Sequence, residues 1–242
     1  MPLGHDGLIN APRDYLTVLV VRYPRDALMT KRLFRGSDGA TGKTSYDKAS
    51  VFDAVTQRVN GLGDLAEVLF DLSDRSDRFV IRGKLRDANH KIRRRIHGTA
   101  AGFSADTQGH HWVFLDFDAI ELPLFLEPDD DPELITGYLV RLLPRSFWTC
   151  SYFWQWSCGQ GLDGGKTLRC HLWFWSREKR TEYEMENWAL TLNGETGKRT
   201  IDHTVFRAFS PIISARRLST RTCPTRSRTG GVAVSTSATM TR

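Results

Sequence analysis

No window of this chain approaches the roughly 18 unbroken apolar residues that a membrane helix needs, and the opening MPLGHDGLINAPRDY lacks the basic-then-apolar layout of a signal peptide. The cytoplasm is therefore the expected location, with no membrane partner. Cysteine is scarce: Cys150, Cys158, Cys170 and Cys223 form no CxxC pair, which argues against both a disulfide framework and a zinc knuckle and leaves core thiols as the simpler reading. Acids are missing from residues 217–242, which carry Arg217, Arg221, Arg226, Arg228 and Arg242 among many Ser and Thr, one Leu and no aromatic residue. Such a composition cannot bury a core and predicts disorder. Those five arginines account for most of the net charge of +6. The rest of the chain is nearly neutral, so its overall basicity says little about partners. No internal repeat is present.

At 242 residues with 40% apolar content, the chain is long enough for one large domain or two small ones. The run Thr17–Val21 reads as a buried strand. Residues 35–46 read as a polar loop. Within it, Gly39 to Thr44 imitates a phosphate-binding loop, but Ser37 stands where the first glycine belongs and no strand directly precedes it. Apolar spacing over Ser50–Leu72 predicts two helices with a bend at Gly61–Gly63, and Phe79–Ile81 predicts a short strand. The basic stretch from Lys84 to Arg95 is expected to be helical, and its Lys91, Arg93, Arg94 and Arg95 could track a nucleic-acid backbone or simply form a solvated face.

Trp112–Leu115 reads as a buried strand ending at Asp116-Phe117-Asp118. Asp129–Asp131 followed by Pro132 marks the start of a helix reaching about Leu143. Thr149–Ser157 and Leu168–Trp175 are expected to be neighbouring strands joined by a glycine-rich turn. They concentrate Trp148, Phe153, Trp154, Trp156, Trp173, Phe174 and Trp175, mostly core candidates, with one or two available to stack on a base. A helix is expected over Arg177–Leu192, and Thr200-Ile201-Asp202 as a short element. Strands and helices interleave without a βαβ rhythm, so the fold class is α+β around a mixed sheet.

The chemistry concentrates in three places. Asp116 and Asp118, one residue apart on an extended chain, point to one side and can jointly hold Mg²⁺ or Mn²⁺, although a DxD is also common in solvated turns. Arg169, His171 and Trp173 share a strand face, where a cation and an imidazole suit phosphate. Asp202 is a third acid behind an apolar residue.

Taken together, hydrophobic-Asp-x-Asp, a Ser/Gly-rich turn leading to a strand with His, and then hydrophobic-Asp resemble the three motifs of archaeo-eukaryotic-type primases, the primase-polymerase superfamily. The flanking text FVIRGKL with Arg82-Gly83, DFDAIELP from Asp116, and SPIISAR after Ile201-Asp202 is similar to primase-like domains of plasmid, phage and prophage replication proteins. The likeness covers about residues 15–216. It implies an RRM-like catalytic core with flanking helices in a domain of residues 1–216, and metal-dependent, template-directed nucleotidyl transfer from NTP or dNTP on single-stranded DNA, with a replicative helicase as a further partner. By motif match Asp116, Asp118 and Asp202 would be the catalytic, metal-holding acids, and His171 the nucleotide contact with Arg169 and Ser157. The second motif departs from the family, which usually has Ser two residues before His; here that residue is Arg169, and Ser157 and Gly159 are a looser substitute.

Past Arg216 the likeness stops. Relatives would continue with more folded sequence, so residues 217–242 read either as a frameshift-derived end of a truncated domain or as a native basic tail. Two other functions compete: a metal-dependent nuclease using the same acids, for which His110 and His111 lie near the strand without a third histidine, and an inactive domain that binds single-stranded DNA or a replication partner.

Overall fold

Two long strands form the backbone of the site: β9 (His110–Glu121) and β11 (Thr167–Arg180) pair antiparallel along most of their length. They belong to a computed structural model that describes residues 13–35, 41–85, 92–93, 102–127, 130–161, 166–212, 218–219 and 230–233. In chain order the elements before β9 are β1 (Asp14–Tyr23), β2 (Arg32–Arg35), β3 (Thr41–Thr44), β4 (Val51–Val59), α1 (Leu62–Ser73), β5 (Arg78–Ile81), β6 (Lys84–Leu85), β7 (Ile92–Arg93) and β8 (Phe103–Ser104). After it come α2 (Pro132–Arg141), β10 (Tyr152–Trp156), β11, α3 (Glu182–Thr196), β12 (Leu218–Ser219) and β13 (Gly230–Ala233), with short 3₁₀ turns at Arg145–Phe147 and His203–Phe206.

The class is α+β. The strands divide between two principal sheets, ordered β5–β1–β4–β7 and β13–β10–β11–β9, rather than forming the single mixed sheet expected. Every pairing within these two is antiparallel. Among the described strands only β12 against β2, in a small sheet with β3, is parallel. None of the described helices is long and apolar enough to cross a membrane.

Several local expectations change. Val51–Val59 is a strand paired with β1 from Asp14↔Val59 to Tyr23↔Val51, not a helix. A spacing of four places residues on one side of a strand as well as of a helix, and its Val and Thr content favours the strand. Only the second half of that segment is helical: α1 buries Leu65, Ala66, Leu69 and Leu72 at helical spacing. The polar loop at 35–46 contains β3, and the basic stretch expected to be helical carries the short strands β6 and β7. The chain stays extended to Arg180, which pairs with His110. Helix α3 begins only after Thr181, whose side chain forms a reciprocal capping box with Glu184. Of the tail expected to be disordered, 218–219 and 230–233 are described, and both are strands.

Strand alternation gives the second sheet two covered faces. Tyr152 and Phe174 lie on one, meeting Thr136 of α2 and Phe147. The other carries Trp112, Phe114, Trp173 and Gln155; there Gln155 Nε2 donates to the Leu69 carbonyl of α1 at 3.3 Å and Trp112 Nε1 to the Tyr15 carbonyl of β1 at 2.9 Å. Arg82 locks the two sheets together. Its side chain is fully buried, donates to the Arg180 carbonyl at 2.8 Å and lies 4.6 Å over the Trp112 ring. Phe153, Trp154, Trp173 and Phe174 are core residues as expected; of the described cysteines only Cys170 is, with Cys158 half-buried and Cys150 exposed, and Cys223 lies outside the described residues.

Candidate active site on the β9 edge

Along the inner face of the β9–β11 pair the cross-strand partners run Trp112/Trp175, Phe114/Trp173 and Asp116/His171. An aromatic floor thus leads to a polar end. The His171 ring packs edge-on to Phe114 at 5.1 Å, and its Nε2 lies 3.5 Å from Asp116 Oδ1.

β9 does not stop at the DxD. Register moves from Phe117↔Cys170 to Ile120↔Leu168, so Asp118 and Ala119 together face the single residue Arg169, a β-bulge. Ala119 takes φ 59° to make the turn. The bulge re-aims Asp118 out of the strand, where its Oδ1 accepts a hydrogen bond from Arg169 Nη1. The arginine stem lies against Gly159, where a Cβ would come within 3.0 Å of Arg169 Cδ. Ser157 is next to it: its amide donates to the Arg169 carbonyl at 2.9 Å, and its Oγ accepts from the Gly159 amide at 3.3 Å.

Asp202 reaches the same place from another direction. Among the described strands β9 is the edge of its sheet, and its Asp116 carbonyl accepts the Asp202 amide at 3.0 Å. This backbone bond fixes the third acid beside the first. Asp202 also caps the turn that follows: Oδ1 accepts from the Thr204 amide at 3.0 Å and hydroxyl at 2.8 Å, while Arg199 Nη2 lies 2.8 Å from Oδ2.

Burial and charge separate the titrating groups. Burial, reinforced by the charge of Asp202, pushes Asp116 up from 3.8 to about 7, against opposing pulls from Lys31, Arg199 and Arg169. Burial and the nearby Lys31 lower His171 to about 4. Their contact at neutral pH therefore joins a neutral imidazole to a carboxyl near its midpoint, not a full ion pair. Asp202 is also partly buried, which raises it, but the Thr204 hydrogen bonds and Arg199 outweigh burial and hold it below the ordinary carboxylate value.

Lys31 and Arg199 are the site residues that sequence reasoning missed. Arg199, three residues before Asp202, could have been found by spacing; Lys31 comes from the segment entering β2, and no local signal marks it. With Arg169 they set three cations against three carboxylates. Elsewhere, Arg93 is in β7, and Lys91, Arg94 and Arg95 lie outside the described residues. His110 is buried with Nδ1 on Asp14 and Nε2 on the Arg82 carbonyl, both at 2.9 Å, and His111 Nδ1 contacts the Ser176 carbonyl at 3.0 Å. Neither histidine belongs to the acidic cluster.

Carboxylate oxygens are suitable donors for Mg²⁺ or Mn²⁺, and the mutual repulsion of Asp116 and Asp202 is what a cation between them would relieve. Among the described residues, however, no three His, Cys, Asp or Glu side chains already form a metal-holding group; Asp118 is turned to Arg169 and Asp202 to Arg199. No known protein family, curated protein or solved structure matches this chain.

Proposed function

We propose that this protein is a primase-polymerase-type nucleotidyltransferase that primes or copies single-stranded DNA for a plasmid, phage or prophage replicon. The observation carrying the reading is that Asp116, His171 and Asp202, from three separate segments, meet on one edge of the β9–β11 pair, with Asp118 two residues further along β9 and bound to Arg169. The motif resemblance supplies the RRM-like core, the template and the helicase partner; the geometry supports the site.

In the reaction, the 3′-hydroxyl of a primer or initiating nucleotide attacks the α-phosphorus of an incoming NTP or dNTP. The new P–O bond forms as the α–β bridging bond breaks, pyrophosphate leaves with the electron pair, and the hydroxyl proton goes to solvent. Mg²⁺ or Mn²⁺ held by Asp116, Asp118 and Asp202 would neutralise charge developing on the attacking and leaving oxygens. Neutral His171 donates a hydrogen bond to a phosphate oxygen. Arg169, Lys31 and Arg199 supply positive potential for the triphosphate, with Ser157 beside Arg169 as a further donor. The Trp173 and Phe114 floor excludes water from one side.

The test is Mn²⁺- or Mg²⁺-dependent incorporation of labelled nucleotides on single-stranded DNA, with and without a primer, comparing wild type with Asp116→Ala/Asp118→Ala. Incorporation that disappears in the double variant supports the reading. Folded wild-type protein that binds single-stranded DNA without incorporating would replace it by the binding-only reading.

A further inference from the structure

The Nη1–H that Arg169 gives to Asp118 is a donor withheld from a triphosphate, and the Asp118 Oδ1 that accepts it is an oxygen withheld from a metal ion. In this structure the two are bound to each other. The pairing is built in: the bulge at Asp118 and Ala119 faces Arg169 alone, Gly159 leaves room for the arginine stem, and the Arg169 amide is anchored to Gln160 Oε1 at 2.6 Å. Yet Asp118 remains 60% exposed and the Arg169 side chain 25%, so both remain open to competitors.

We propose that Arg169 is a resident counter-cation of the site, which a polyphosphate and a divalent cation displace together: the phosphate oxygens take the guanidinium, and the metal takes the vacated Asp118. Binding of either ligand then favours the other, because each removes the other's competitor. The inference rests on the nucleotidyltransferase reading and adds regulation of that same site. It is a property of this chain, since it depends on arginine two residues before His171.

The test is a reciprocal pair of binding measurements on the full chain. Mn²⁺ binding, followed by loss of the free-ion electron paramagnetic resonance signal, is compared in wild type, Arg169→Ala, Arg169→Gln, Asp118→Asn and Arg169→Ala/Asp118→Asn. Inorganic tripolyphosphate binding is measured calorimetrically in EDTA for wild type, Asp118→Asn and Arg169→Ala. Removing the arginine tightens Mn²⁺ by about fivefold, the upper end for a partly exposed ion pair, with no gain when Asp118 is already Asn. Asp118→Asn tightens tripolyphosphate by a similar factor, and Arg169→Ala weakens it. The glutamine variant preserves most of the side-chain volume if the alanine variant fails to fold. Equal Mn²⁺ affinity in wild type and both arginine variants, a gain that persists without Asp118, or no change in tripolyphosphate binding overturns the exchange while leaving the metal site standing. Absence of Mn²⁺ binding in every protein overturns the exchange and the metal-dependent reading together.

Discussion

Asp116→Asn and His171→Gln should tilt the stability of the metal-free protein in opposite directions as pH changes. Asp116 is raised from 3.8 to about 7, so its contribution is fully present below pH 4 and is lost as pH rises through 7, by about 4 kcal/mol in total. His171 is lowered from 6.5 to about 4, so its contribution is present above pH 6.5 and is lost as pH falls toward 4, about 3 kcal/mol. Between pH 4 and 6.5 the two slopes nearly cancel in the wild type. Replacing Asp116 by Asn uncovers His171, and the variant gains about 3 kcal/mol over wild type's change across that interval; replacing His171 by Gln uncovers Asp116, and stability falls from pH 4 to 7. Urea unfolding in EDTA at half-unit pH steps reads both, and taking variant-minus-wild-type differences removes the groups they share. Parallel curves for Asp116→Asn and wild type from pH 4 to 7 would refute the argument. At pH 8 the asparagine protein should be the more stable and inactive, as expected where an acid is kept for chemistry at the expense of folding.

Other substitutions test the scaffold. Ala119→Gly relieves the left-handed conformation at φ 59° and should raise stability by about 1 kcal/mol in urea unfolding. Gly109→Ala should do the reverse: its φ is +70° and an added Cβ would lie 2.4 Å from backbone atoms of Arg180, so a loss of about 2 kcal/mol or more is expected by the same measurement. Arg82→Ala removes the buried guanidinium from the Arg180 carbonyl and the Trp112 face and should cost about 3 kcal/mol. Arg82→Met, which keeps the volume without a buried charge, should recover most of that loss in urea unfolding.

The elements legible from sequence are those whose pattern is local. β1, β5, the β10–β11 hairpin and α2 with its Asp131 cap follow from apolar runs, glycine turns and a helix-start signal. The grouping of Asp116, His171 and Asp202 was legible only through motif order, since the bond that delivers Asp202 joins two backbones far apart in the chain. The expected helix over Val51–Val59 is a strand because a four-residue spacing satisfies both, and pairing with β1 decides between them. The bulge at Ala119 has no glycine to announce it. Lys31 influences Asp116 and His171 across the fold, and nothing in its neighbourhood of sequence distinguishes it.

The placement of β13 bears on solubility. Tyr152–Trp156 is an aromatic segment of high β propensity, and β13 pairs with the side of it that β11 does not occupy, from Tyr152↔Ala233 to Gln155↔Gly230. Gly230–Ala233 thus works as a guard strip over unpaired amides and carbonyls that would otherwise template cross-chain pairing. A chain cut before Gly230 would keep every residue of the acidic cluster and still be prone to self-associate through the bared YFWQW edge.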